Sequence, residues 1–283
     1  LAGGQEYAKE PVAGGGRKVN PRIALALGAG AARGLAHIGV LQVLQEAGVE
    51  VQYLAGTSVG ALVAALFAAG VDLYELEKMG KALKLKHLVD FVLPGPGLIG
   101  GEKLRGFLNL FLRGKAFDDL FHPLAVVATD LQTGEEVVIR EGPVVEAVLA
   151  SCAIPGVFVP VRYGGRLLVD GGLVDRVPVQ VAQGMGAELV VAVDVGPSLK
   201  ASRLRSLPEI TIQAIDIMQE EVMRLKARTA DVFIRPPVGE FSALRLDKGA
   251  ELIRLGRMAA EKALPAIKAA WEQKKAAFPN ISE

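Results

Sequence analysis

Short runs of apolar residues, each breaking into a glycine-bearing turn and then a helical pattern, constrain this chain most. Ile23-Ala24-Leu25-Ala26-Leu27 is one, Leu124 to Thr129 a second, and the core of Glu188 to Val195 a third. A strand without a polar face must be covered on both sides, and the helical stretches between the runs supply the cover. The alternation predicts an α/β fold built on a mainly parallel sheet. Helices are expected over Asp72 to Leu85, Gly101 to Leu112, Pro143 to Ala150, Pro178 to Gly184, Pro208 to Arg228 and Lys248 to Lys275. Leu124 to Arg140 reads as a hairpin, and Arg166 to Val169 and Asp231 to Arg235 as strands. Half of the 283 residues are hydrophobic, enough for one large core, so residues 22–283 are expected to form a single domain. Residues 1–21, rich in Gly, Lys and Pro without hydrophobic period, read as a flexible tail.

One of these strand-to-helix turns carries chemistry. The apolar strand from Val51 runs into Gly56-Thr57-Ser58-Val59-Gly60, and an Ala-rich helix follows from Val59 to Ala69. A serine at so sharp a turn needs neighbours without side chains, which Gly56 and Gly60 provide, and the helix aims its N-terminal amides at the same spot. Ser58 is therefore the candidate nucleophile. The plainer reading, with Thr57 or Ser58 as an ordinary helix cap, uses the same residue types.

The first strand also opens into glycines, Gly28-Ala29-Gly30-Ala31-Ala32-Arg33-Gly34. Such a loop presents backbone amides to an anion. Dinucleotide binding would need Gly-x-Gly-x-x-Gly and an acid about 20 residues on, at the end of the next strand. Here Gly34 falls one place late and the next strand ends in Gly-Thr-Ser. The alternative is an oxyanion hole, with amides near Gly30 and Ala31 aimed at a carbonyl oxygen attacked by Ser58.

A serine needs a base. The chain has three histidines, His37, His87 and His122, and none follows Asp170 or any later acid, so the serine–acid–histidine order of α/β-hydrolases is not available. His37 rides a helix that leads away from the loop, and His87 and His122 sit in segments that read as surface. Asp170, where a strand gives way to Gly171-Gly172, is the strongest remaining base, with a turn aspartate bonding its own backbone as the plain alternative.

Composition narrows the partners. A net charge of +1 with interspersed signs argues against a nucleic-acid groove. The single Cys152 excludes an intramolecular disulfide and a cysteine metal cage, and no metal site or organic cofactor is expected. No apolar run reaches bilayer-spanning length, so membrane contact is expected to be peripheral. The apolar, Gly- and Pro-punctuated stretch from Val92 to Gly101, with the helix after it, is open to two readings over residues 91–112: an ordinary packed connection, or a lid or membrane-touching surface. Leu1-Ala2-Gly3-Gly4 looks like a bacterial lipoprotein cleavage box with glycine at the cysteine position, an expectation of anchoring at the cell envelope, with the bacterial cytoplasm as the alternative.

Three ordered blocks, Leu27 to Leu41, Gly56-Thr57-Ser58-Val59-Gly60 and Asp170-Gly171-Gly172, resemble the patatin-like phospholipase family and its small bacterial branch. Ala128-Thr129-Asp130-Leu131, Ala150 to Gly156 and Val174 to Val179 support the likeness, which covers roughly residues 22–196. The resemblance implies a three-layer α/β/α fold and hydrolysis of lipid acyl esters by a Ser58–Asp170 dyad. It further implies an oxyanion loop around Gly28, Gly30, Ala31, Arg33 and Gly34, with Arg33 fixing the loop or meeting a phosphate. Where much of the family has three successive glycines, this chain has Ala29-Gly30-Ala31, and alanine resists positive φ. A catalytically weak lipid-binding or regulatory module on the same scaffold is the alternative.

Overall fold

The computed structural model describes residues 20–90, 97–198, 206–225 and 230–277. The expected tail and lipoprotein-like box lie outside them, except for residues 20 and 21, as do residues 91–96 of the candidate lid. In chain order the strands are β1 (Ile23–Leu27), β2 (Val51–Thr57), β3 (Leu124–Asp130), β4 (Glu136–Ile139), β5 (Val161–Tyr163), β6 (Arg166–Asp170), β7 (Leu189–Val193) and β8 (Val232–Ile234). The helices are α1 (Ala36–Glu46), α2 (Val59–Ala68), α3 (Leu73–Ala82), α4 (Glu102–Leu112), α5 (Val144–Ser151), α6 (Val179–Gln183), α7 (Leu207–Leu225) and α8 (Gly249–Ala277). The strands form one eight-stranded sheet connected as β5-β6-β3-β2-β1-β7-β8, with β4 also on β3. β3, β2, β1, β7 and β8 are parallel, and β4, β5 and β6 add antiparallel pairs at the β3 end.

The two faces of the sheet differ because side chains alternate along each strand. Ile23, Leu25 and Leu27 of β1, with Leu189, Val191 and Val193 of β7, point into a thick layer made by α1, α2, α3, α5 and α8. Ala24, Ala26, Ala55, Ala125 and Ala192 point the other way, where small side chains let the short α6 and Met223, near the end of α7, come close. Fully burying each leucine contributes about 1.5–3 kcal/mol, so the large-residue face supplies most of the core's stability. On that face α1 and α8 touch backbone to backbone. A Cβ added at Gly39 would meet the Ile253 carbonyl, and one at Gly256 the Ala36 carbonyl. No helix among the described residues is long and apolar enough to cross a membrane.

Two local readings change. The first glycine loop does not run straight into an α-helix but passes through a 3-10 turn, Ala31–Leu35, before α1. β5 is a strand that periodicity does not reveal, because three residues between Pro160 and Gly164 are too few to show a period.

Candidate active site

Ser58 sits between β2 and α2 with φ 55° and ψ −125°, a conformation L-residues rarely adopt. Holding it costs on the order of 1–3 kcal/mol, which the surroundings must supply. They do so from three sides. A Cβ at Gly56 would lie 2.5 Å from Ala61 Cα, and one at Gly60 would strike the Leu27 carbonyl, so both positions must be glycine for α2 to seat on the sheet. The Leu62 amide donates to the Ser58 carbonyl (3.0 Å). The Ser58 amide itself donates to Ser151 Oγ (2.8 Å), whose hydroxyl donates to the Val127 carbonyl (2.6 Å). Ser151 is fully buried at the end of α5. No local sequence signal marks it: it lies in the Ala150 to Gly156 stretch, and only the packing of α5 against the sheet brings it to the turn.

Asp170 reaches Ser58 because two strands share one edge of β3. At Val127 the neighbours are Thr57 of β2 and Val138 of β4, and at Ala128 they are Val137 of β4 and Asp170 of β6. With β4 along one edge, β2 and β6 must divide the other. β2 runs parallel to β3 and β6 antiparallel, so their C-terminal ends face each other head on. The Thr129 hydroxyl donates to the Asp170 carbonyl (2.9 Å) and secures that end. Ser58 Oγ then donates to Asp170 Oδ2 at 2.6 Å across 112 positions of sequence, and the Gly172 amide donates to Oδ1 at 2.7 Å. Both side chains are buried, at 5% and 4% exposure. Burial pushes the Asp170 carboxyl up to about 6, with the Asp216 charge adding to it and the Ser58 hydroxyl and Gly172 amide pulling the other way. A carboxylate poised there is a competent general base near neutral pH.

The glycine loop divides into amides that are bonded and amides that are not. Gly28 N donates to the Val193 carbonyl (3.0 Å), Ala29 N to the Arg176 carbonyl (2.9 Å) and Ala32 N to the Ala243 carbonyl (3.0 Å). Between them Gly30 is extended (φ 169°) and Ala31 adopts positive φ (48°), despite the steric cost to alanine. Among the described residues the Gly30 and Ala31 amides have no hydrogen-bond acceptor. Gly28 and Gly34 are scaffold: a Cβ at Gly34 would enter the Val59 side chain.

Of the two uses expected for Arg33, the geometry fits one. It is 3% exposed, donates Nε to the Gly30 carbonyl (3.1 Å), and grips both oxygens of Asp216 on α7 through Nη2 (3.1 and 2.9 Å). It holds the loop and faces inward, away from any phosphate.

A second buried arginine, Arg176, underlies the same loop. Its carbonyl takes the Ala29 amide while Nη2 meets Asp194 (3.1 Å) and Nη1 meets Glu220 (2.9 Å). Burial alone would raise the Asp194 carboxyl, but Arg176, Arg235 and the Gly196 amide outweigh it and hold the group below its ordinary value. Buried pairs of this kind cost several kcal/mol when one partner is removed, unlike surface pairs, so Arg176 belongs to the loop's foundation.

The histidines are accounted for elsewhere. His37 is buried, its Nε2–H donates to the Gly28 carbonyl (2.8 Å), and burial lowers its pKa to about 4, so it is neutral. His122 stacks on Phe67, and His87 Nδ1 accepts from the Lys84 amide. None hydrogen-bonds to Ser58 or Asp170. Cys152 is half-buried beside the pair, and burial together with the Asp170 charge raises its thiol, which favours the neutral form.

Ser58 opens onto an apolar cavity of about 250 Å³, walled by residues that include Leu62, Leu66, Met79, Leu104, Phe107 and Val157. Among the described residues Ser58 supplies its one hydroxyl, and no charged side chain lines it. Such a wall accepts a hydrocarbon chain and rejects a polar head group, which would lose its hydration without a partner.

Comparison with known proteins identifies a family and a fold. A family model described as patatin-like phospholipase matches residues 25–182. An uncharacterised NTE family protein of Mycobacterium bovis is 38% identical over 202 residues, covering 70% of this chain and 56% of the relative. A second from the same organism is 32% identical over 271 residues, covering 86% of this chain and 46% of the relative. The chain thus spans about half the length of these relatives. The mouse patatin-like phospholipase domain-containing protein 6 is 35% identical over 182 residues, 62% of this chain and 13% of that protein. The crystal structure of VipD from Legionella pneumophila superposes with a TM-score of 0.64 at 17% identity, covering 87% of this chain and 67% of VipD, a likeness of fold.

Proposed function

The chain belongs to the patatin-like phospholipase family, and from that premise we propose that it is a serine acyl-ester hydrolase of lipids working through Ser58 and Asp170. The observation that carries the reading is the 2.6 Å contact from Ser58 Oγ to a buried carboxylate, with the unbonded Gly30 and Ala31 amides in the neighbouring loop. Asp170 takes the hydroxyl proton as Ser58 Oγ attacks the ester carbonyl carbon, and the two amides receive the oxyanion. Collapse breaks the ester C–O bond, Asp170 returns the proton to the departing alcohol, and the acyl group stays on Ser58. Asp170 then removes a proton from water, whose oxygen attacks the acyl carbon; the bond from that carbon to Ser58 Oγ breaks, Asp170 returns the proton to Oγ, and the carboxylic acid is released. The acyl chain lies in the cavity while the alcohol leaves on the solvent side.

A fluorophosphonate probe tests the proposal directly. Stoichiometric labelling at Ser58, with parallel loss of turnover of nitrophenyl acyl esters, is the expected result. A folded protein that neither labels nor turns over these esters would instead be a lipid-binding module on the same scaffold.

Ser151 gives a finer check. Ser151→Ala leaves the Ser58 amide buried without an acceptor, a cost of about 1–3 kcal/mol, and frees the strained turn to relax. We expect kcat and the labelling rate to fall together by about 10- to 100-fold, with KM and the pH midpoint unchanged. A rise in KM with kcat intact would show that the hydroxyl serves the cavity and not the nucleophile.

A further inference from the structure

The cavity meets solvent at a rim that carries exposed apolar side chains. Leu85 and Leu98 line the cavity and are 41% and 39% exposed. The start of α7 adds Leu207 at 68% and Ile210 at 51%, next to Pro208 and Ile212, which line the same cavity. Ile212 packs with Val89 and Ile99, so α7 and the segments around Leu85 and Leu98 form one edge. Those two segments are clamped together: the Gly100 amide donates to the Asp90 carbonyl, and the Asp90 carboxylate accepts from the Gly101, Glu102 and Lys103 amides.

Three lysines stand on this edge. Lys84 and Lys86 flank Leu85 in the chain, and Lys103 Nζ reaches the Lys86 carbonyl at 3.0 Å. Among the described residues none of the three has a carboxylate partner. The acids nearby are engaged: Asp90 on the three amides, Glu102 on Arg105, Glu77 on Lys81, and Glu209 on the Ser206 amide. Exposed apolar side chains continuous with an apolar cavity, beside unneutralised ammonium groups, match the two layers of an anionic bilayer surface, with acyl chains beneath phosphates.

We propose that this edge, with Leu85, Leu98, Leu207 and Ile210 inserted and Lys84, Lys86 and Lys103 against the head groups, docks the protein on anionic phospholipid membranes. The proposal rests on the acyl-hydrolase reading only for the step after docking, in which a chain passes from bilayer to cavity without crossing water.

Binding is read by co-sedimentation in the Ser58→Ala background, where no hydrolysis alters the vesicles. Vesicles of phosphatidylcholine alone are compared with equimolar phosphatidylcholine and phosphatidylglycerol. The expected result is binding to the anionic vesicles that weakens with added salt, and a loss on the order of a hundredfold in the triple variant Lys84→Gln, Lys86→Gln, Lys103→Gln, about fivefold for each cation. With Ser58 restored, the triple variant should turn over a soluble nitrophenyl ester as the parent does. Equal binding to both vesicle types, no binding to either, or a triple variant that binds like the parent would overturn the docking face. Vesicle binding as expected with no ester turnover by the parent would leave the docking face standing and remove the hydrolase reading.

Discussion

Ser58→Ala is expected to reduce acyl-ester turnover by about 10⁴-fold or more while leaving a cooperatively folded protein, because removing a nucleophile disables every later step at once. Alanine keeps the positive φ that the turn imposes, and the Ser151 hydroxyl still accepts the residue 58 amide, so the elbow survives. What is lost is the bond to Asp170 Oδ2, which leaves the carboxylate with the Gly172 amide alone. A single side-chain bond of this kind contributes about 1–3 kcal/mol, so the melting temperature should move by a few degrees at most. Steady-state kinetics with calorimetry on the same sample decide it. Undiminished turnover in the alanine variant would assign the chemistry to another residue.

Asp170→Asn should lower activity and raise stability together, a combination that simple damage to the fold does not produce. The folded carboxyl sits at about 6 against an ordinary value of 3.8, so the native state holds its proton more tightly than the unfolded chain. Ionising it therefore removes stability as pH rises from 3.8 through 6, and above 6 the full cost applies. Asparagine has no charge to desolvate, so the variant should exceed the wild type by about 2–3 kcal/mol at pH 8 and match it at pH 4. Its amide can still satisfy the Gly172 N–H with Oδ1 and offer Nδ2 to Ser58, but the serine then has no base. Turnover should fall by about 10³-fold or more. In the wild type, kcat/KM should drop about tenfold per pH unit below 6 and level off above it, as deprotonated Asp170 becomes the majority form. A flat profile from pH 5 to 8, or a variant less stable at pH 8, would remove Asp170 as the buried base.

Much of the site is visible along the chain because its demands are local. Gly56 and Gly60 are required by contacts within a few residues of Ser58 or with the adjoining strand, and the Asp170-Gly171-Gly172 turn carries its own amide-to-carboxylate bond. The roles of Arg33, Ser151 and Arg176 are not visible in this way. Arg33 pairs with an aspartate 183 positions away, and Ser151 meets the nucleophile amide across 93. An arginine after a glycine loop is as well suited to a phosphate as to a buried carboxylate. Burial decides between them, and burial depends on where α7 packs.

Alternating apolar strands and helices, with glycines where a serine must stand clear, were enough by themselves to predict a mainly parallel sheet covered on both faces and to single out Ser58 and Asp170 as candidates. Only the tertiary structure decided that they touch. Their meeting comes from β2 and β6 ending head on along one edge of β3, a matter of register between distant segments. The carboxyl's rise to about 6 comes from the water that packing excludes. Periodicity and turn sterics act over a few residues, whereas register and desolvation belong to the assembled sheet.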